Sequence, residues 1–344
     1  MSEFTHSNER LVMPDGMAGD IDAHYATHIR TFCEEFEQKR QVAFSASEKR
    51  KPFAIAGYVA GVALVIGSHY FPPLDASEDI SLGVKVIVIA TISLFIRRWH
   101  TRPKNAYKES IKEEIFPRIF SFFGDDYVYS PDAEGVAVAD LKSFGIVPRF
   151  NHNGDSNEDL VRGSYKGVSV QLFESELERG SGKNRKTVFS GLFITLSMHK
   201  KFRGHTVVKR DGGKLGNFLS DKTTKLEHVK LEDPTFEKMF EIYSSDQVEA
   251  RYLLTPAFME RLIHLEAIFR GQDNEVSKTR KSNLQAAFYD RHLLLMIPSD
   301  TNRFEVRDIK ERVTFYEEIN TVLAEMQDIF GIVEHLKLHE NTRL

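Results

Sequence analysis

The residues best equipped for chemistry stand in one short block, YSSDQVEARYLLTPAF at 243–258. It holds two carboxylates, Asp246 and Glu249, a cation, Arg251, and a phenol, Tyr252. Paired acids beside an arginine are the materials of general acid–base catalysis or of a partner site. They are also the materials of helix capping. Asp246 and Glu249 have the D-x-x-E spacing in which the carboxylate of one meets a backbone N–H near the other, and Arg251 is placed to pair with either acid. Thr255 before Pro256 opens the next helix, and Asp233 before Pro234 does the same upstream. Nearly every polar residue of the block therefore has a structural role open to it. A protein-partner site at Asp246, Glu249, Arg251 and Tyr252 is the sharper reading, and catalysis has the least support.

Other chemistries fail on residue type. GSGK at 180–183 has Leu177 where a phosphate loop needs glycine and Asn184 where it needs Ser or Thr. DGGK at 211–214 fails in the same way. The histidines are scattered, His24 and His28 supply only two ligands, and Cys33 is the only cysteine, so neither a metal nor a cofactor is expected. A single cysteine also fits a reducing compartment. No GxSxG marks a nucleophile elbow, and no catalytic residue is assigned. A second cluster is basic: Lys200, Lys201, Arg203, His205, Lys209 and Arg210 surround one turn. On a tethered domain it would attract anionic lipid at about 1 kcal/mol per basic residue near the surface. The alternative is a solvated turn. A net charge of -4 and the lack of interleaved aromatics argue against nucleic acid.

Two apolar runs set the frame for these groups. Residues 53–71, FAIAGYVAGVALVIGSHYF, carry no Asp, Glu, Lys or Arg, and residues 80–96, ISLGVKVIVIATISLFI, carry only Lys85. Each approaches the ~20 residues that span ~30 Å of hydrocarbon as a helix. Lys49, Arg50 and Lys51 precede the first run, and Arg97, Arg98, Arg102 and Lys104 follow the second. The connector PPLDASED has no basic residue. The positive-inside rule then puts both chain termini in the cytoplasm and the connector outside, which predicts a two-pass membrane protein. Lys85 either snorkels outward to Glu78 or Asp79 or acts within the membrane. Gly57 and Gly61 let helix backbones approach, within the hairpin or between two copies in a homo-oligomer. The first run starts too far along the chain for a cleaved signal peptide.

The expected order is a disordered tail at 1–18, a cytoplasmic amphipathic helix within 19–51 ending near Ala43, a transmembrane hairpin at 52–98, and a cytoplasmic α+β domain at 105–344. Within that domain, Ile111, Ile115 and Ile119 form a helical stripe, with a kink at Pro117 and a stop at Gly124. Residues 159–177 alternate around Tyr165-Lys166-Gly167 as a hairpin. Residues 187–210 read as a second hairpin turning at 201–204, and 284–298 as strands broken near Asp290. Helices are expected at 256–270 and 308–330, the latter with Phe315, Ile319, Val322, Met326 and Ile329 on one face and Gly331 as its stop. Residues 272–283 read as a polar loop.

The block LEDPTFEKMFEIYSSDQVEARYLLTPAFMERL at 231–262, with SGLF at 190–193, resembles the signature of the bacterial family called domain of unknown function 3137. The resemblance runs from about residue 20 to 338. It implies a two-helix membrane hairpin followed by a cytoplasmic domain, and it brings no activity and no catalytic residues. The expected function is a membrane-anchored interaction or regulatory module whose partners are the lipid bilayer and another protein. The alternatives are an enzyme with a site assembled from scattered residues and a domain that senses anionic lipid.

Overall fold

A computed structural model describes residues 19–70, 82–199, 201–210, 226–272, 284–299, 302 and 304–336; the side chains of 65, 68–70, 82, 83, 85, 86, 210 and 266–272 lie outside that description. The expected tail, the 72–79 connector, Lys200, DGGK, most of the 272–283 loop and the side chains of Lys85 and Arg210 therefore lie outside the described residues.

The chain divides into two compact units. One comprises residues 22–115 and 306–317. Its helices are α1 (Ile21–His28), α2 (Cys33–Tyr70) and α3 (Leu82–Glu114), with a 3-10 turn at Arg30–Phe32. The expected helix end near Ala43 is not there. Residues 44–51, FSASEKRK, contain no glycine, and their Ala, Glu, Lys and Arg are strong helix formers. The helix also continues through Pro52, which forgoes one backbone bond. Helix α3 likewise runs through Pro103.

Residues 306–317 lie on these helices as a strap. The Arg40 guanidinium donates to the Ile309 carbonyl at 2.8 Å, the Val313 N–H donates to Glu37 Oε2 at 3.1 Å, and the Tyr25 hydroxyl donates to the Thr314 carbonyl at 3.2 Å. Phe315 meets Phe36 edge to face at 5.5 Å, and both are buried. This contact corrects the expected helix at 308–330. Phe315 takes φ +59°, a left-handed conformation a helix cannot contain, so helix α8 starts at Tyr316. It runs through Gly331 to His335: Gly331 is a helix interior residue here, not a stop.

The other unit holds residues 116–305 and 318–344. Its centre is an antiparallel sheet in the order β1-β2-β3-β4-β9-β8-β5-β7-β6. The strands are β1 (Val128–Ser130), β2 (Asp155–Tyr165), β3 (Val168–Arg179), β4 (Lys186–Ser197), β5 (Thr206–Arg210), β6 (Glu227–Val229), β7 (Phe240–Ser244), β8 (Gln285–Tyr289) and β9 (His292–Pro298). The helices are α4 (Phe116–Phe120), α5 (Pro234–Met239), α6 (Gln247–Leu253), α7 (Pro256–Gln272) and α8 (Tyr316–His335). The fold is α+β, as expected. Chain order breaks at Ile115, so Pro117 stands in the first turn of α4 and does not kink a longer helix.

Alternation sorts the strand residues onto two faces. Leu160, Phe173, Phe193, Val207, Ala287, Leu294 and Met296 form one core with Val138, Phe144 and Ile146. On the other face Phe258 of α7 meets Phe288, and Phe330 of α8 stacks on Tyr165 at 4.0 Å. The β2–β3 hairpin turns as expected, with Lys166 and Gly167 both at positive φ. The expected hairpin at 187–210 is a crossover. Strand β4 pairs with β3 and β9, β5 pairs with β7 and β8, and the β8–β9 hairpin lies between β4 and β5. The connector's Met198 and Phe202 N–H groups donate to Arg291 and Asp290 in the β8–β9 turn, so they do not close a turn of their own.

Candidate membrane and partner surfaces

Helix α6 carries the block that first suggested chemistry. Asp246 caps it, accepting from Val248 N at 3.0 Å and Glu249 N at 2.9 Å. The second half of a capping box does not form. The Asp246 N–H is taken by Ser244 Oγ at 3.1 Å, and the Glu249 carboxylate turns elsewhere. It accepts from Arg203 N at 2.9 Å and Gly204 N at 2.6 Å, and it is buried. Glu249 thereby fastens α6 to the connector before β5. Arg251 pairs with neither acid and donates to the Gln247 carbonyl one turn back at 3.3 Å. Of the four residues expected to form a partner site, the two acids are committed to backbone, while Arg251 and Tyr252 are exposed. Val248, 67% exposed, lies one helical turn before Tyr252, 58% exposed, and completes that outward face.

The basic cluster does not form one surface. Lys201 and Arg203 are exposed, and Lys201 pairs with Asp290 at 3.2 Å. His205 is buried and its Nε2 lies 2.7 Å from the Phe144 carbonyl, which it meets as a donor; burial pulls its pKa below the ordinary 6.5. Lys209 is also buried, opposite Glu241 across the β5–β7 ladder, and burial lowers its pKa while Glu241 opposes that shift. The expected lipid-facing role is thus corrected for Lys209. It follows from strand alternation, which turns Lys209 to the same side as buried Val207.

One group was not foreseen from the sequence. Glu158, Asp159 and Glu174 bring carboxylate oxygens within 4.8 Å of one another. The β2–β3 register sets Glu158 directly opposite Glu174, an arrangement that repels. A bulge follows, and Asp159 sits in it at φ +56° and is fully buried. The Tyr129 hydroxyl donates to Asp159, burial and these acids raise the tyrosine's pKa, and Asn302 donates to Glu158 at 3.3 Å. All three acids have further interactions. No sequence spacing marks them, because strand register alone brings them together.

The helical unit presents a different chemistry. Phe53 and Phe95 are each 71% exposed and Leu64 is 74% exposed, with Val59, Ile87, Val88 and Ile92 also turned outward. A soluble helix buries such side chains. Between α2 and α3, a Cβ placed on Gly57 would come within 2.7 Å of Ile96 Cδ1, whereas Gly61 faces open space. Gly57 therefore serves the close approach of the two helices. The Tyr58 hydroxyl donates to the Ser93 carbonyl at 3.4 Å. At the basic end, Arg50 Nη1 donates to the Trp99 carbonyl at 2.7 Å and its guanidinium lies 5.0 Å from the Trp99 ring centre. Among the described residues no helix is long and apolar enough to cross a membrane; the runs 53–71 and 80–96 both extend beyond those residues.

Comparison with known proteins places part of this chain. A family model described as "Protein of unknown function (DUF3137)" matches residues 187–338. That span contains β4 with its SGLF, the α6 block and α8, but neither α2 and α3 nor the Glu158–Glu174 pair. It is narrower than the resemblance suggested. Among solved structures, the mycobacterial trehalose monomycolate transport factor A, TtfA, aligns at 12% identity over 61% of this chain and 88% of that chain, with a TM-score of 0.30. A superposition that loose carries no argument. No curated protein matches.

Proposed function

We propose, for a chain whose residues 187–338 match a family without an assigned activity, that it is a membrane-anchored interaction module. In this reading α2 and α3 cross the bacterial cytoplasmic membrane through their apolar stretches, and the α+β unit works at the inner surface. The observation that carries it is the outward display of Phe53, Leu64, Ile87 and Phe95 on both helices. An exposed apolar surface of this extent on a helix pair calls for a nonaqueous neighbour. The basic residues Lys49, Lys51, Arg97 and Arg98 close both runs at one end, which supports an inward-facing orientation. The outward face of α6, Val248, Arg251 and Tyr252, is the surface offered to a protein partner. Its apolar and cationic side chains are free of the structural duties that hold Asp246 and Glu249.

Alkaline carbonate extraction of membranes, paired with a reporter fused after residue 344, tests this. Retention in the pellet with a cytoplasmic reporter is expected. Release into the supernatant, or a reporter active outside, overturns it.

A further inference from the structure

Just beyond the apolar belt, α2 and α3 part to form a groove of about 780 Å³. Its lining includes Arg50, Trp99 and Arg102 at the end nearest the belt, with Ala46 and Pro103 between them and Val42 farther out. The depth of the first three residues is set by helix geometry. At about 1.5 Å per residue, Arg50 and Trp99 lie roughly 4.5 Å past their apolar runs, and Arg102 roughly 9 Å past. The polar layer on each side of a bilayer is roughly 5–8 Å thick. Arg50 and Trp99 therefore stand at headgroup depth, and Arg102 at its outer edge within reach of its long side chain, if the helices cross a membrane as proposed above.

The charges at that mouth are available. Among the described residues neither Arg50 nor Arg102 is ion-paired with an acid, and Arg102 is exposed. By contrast Lys39, deeper in the groove, is held by Glu35 at 2.9 Å and Glu114 at 2.8 Å. Arg50 uses one N–H on the Trp99 carbonyl and keeps its guanidinium beside the indole, which leaves most of its five donors unused by that contact. Two guanidiniums with a tryptophan at the interface suit a phosphodiester, because arginine presents paired donors to phosphate oxygens. Exposed Phe53 and Phe95 lie on the membrane side of the same mouth, where they continue the surface toward acyl chains.

We infer that this groove is a binding site for an anionic phospholipid: its phosphate is held between Arg50 and Arg102 beside Trp99, and its acyl chains lie back along Phe53 and Phe95. The inference rests on the membrane reading above, and its test separates the two. Trp99 is the only tryptophan in the protein, so its fluorescence reports this site alone. The full chain is reconstituted in phosphatidylcholine bilayers containing either brominated phosphatidylglycerol or an equal fraction of brominated phosphatidylcholine, with bromines near the heads of the acyl chains. Stronger quenching by the anionic lipid is expected. The preference should fall on the order of fivefold for each arginine removed, in Arg50→Gln and in Arg102→Gln. Arg97→Gln with Arg98→Gln removes two charges outside the groove lining, as Arg50→Gln with Arg102→Gln removes two within it, and should leave most of the preference in place. Equal quenching by both lipids, or equal loss in both pairs of variants, overturns the site and leaves the membrane anchor standing. Quenching by neither lipid removes both. Because Arg50 also bridges the helices, exposed Arg102 provides the variant that leaves their packing intact.

Discussion

Glu249 receives the backbone N–H groups of Arg203 and Gly204 while Asp246, three residues earlier, caps the helix that carries it. One carboxylate closes a helix end and the other joins that helix to a distant connector, so adjacent acids have separate duties. A hydrogen bond to a charged group contributes about 1.5–3 kcal/mol, and a helix cap about 1 kcal/mol. Chemical denaturation of the full chain should therefore rank four variants. Glu249→Ala should lose the most, on the order of 2–3 kcal/mol, and Asp246→Ala about 1 kcal/mol. Arg251→Ala and Tyr252→Ala should stay within about 0.5 kcal/mol of the parent. If Arg251→Ala destabilises as much as Glu249→Ala, the outward face of α6 is structural and the partner surface lies elsewhere.

At the scale of elements, local pattern was legible and long-range pairing was not. The Tyr165-Lys166-Gly167 turn, the Asp233 and Asp246 caps and the Thr255-Pro256 helix start all depend on neighbours in sequence, and all formed. The β4–β5 crossover could not be read, because apolar strands joined by a polar basic turn look alike whether they pair or part. What parts them is the β8–β9 hairpin, nearly a hundred residues later in the chain. The Glu158–Asp159–Glu174 group escaped notice for the same reason: a register between strands has no one-dimensional signature. The 306–317 strap is the third case. Helical periodicity through Phe315 is genuine, but Glu37, Arg40 and Phe36 hold the strap out of the helix. Glu37 makes this testable. Its hydrogen-bonded pairing with Arg40, opposed by burial, lowers its pKa from 4.5 to about 2. A carboxylate with a depressed folded pKa stabilises fully above its ordinary value, and that stability is lost as pH falls from 4.5 toward about 2. Glu37→Gln should cost on the order of 2–3 kcal/mol at neutral pH and flatten the acid side of the stability profile across that window. An unchanged acid slope would mean that the strap is held without Glu37, by Phe315 and Phe36 packing and by the Arg40 and Tyr25 hydrogen bonds.

At the scale of the whole molecule, the decisive contrast is between two ways of treating exposed apolar side chains. In water they are a liability, and a charge placed among them improves solubility. In a bilayer they are the anchor, and a charge among them costs about 3 kcal/mol near the middle of the span. Leu64 and Val42 provide the pair to compare. Both are highly exposed on α2, at 74% and 71%, but Leu64 lies within the apolar run and Val42 lies before it. The membrane reading predicts that Leu64→Arg lowers the membrane-inserted fraction, measured by carbonate-resistant pelleting, while Val42→Arg leaves it unchanged. An aqueous helix pair predicts the opposite sign for Leu64: a more soluble protein with no membrane fraction to lose. Because the two outcomes move in opposite directions, one substitution on one helix decides whether the apolar belt faces lipid. The same result fixes whether the groove at Arg50, Trp99 and Arg102 sits at the edge of a bilayer.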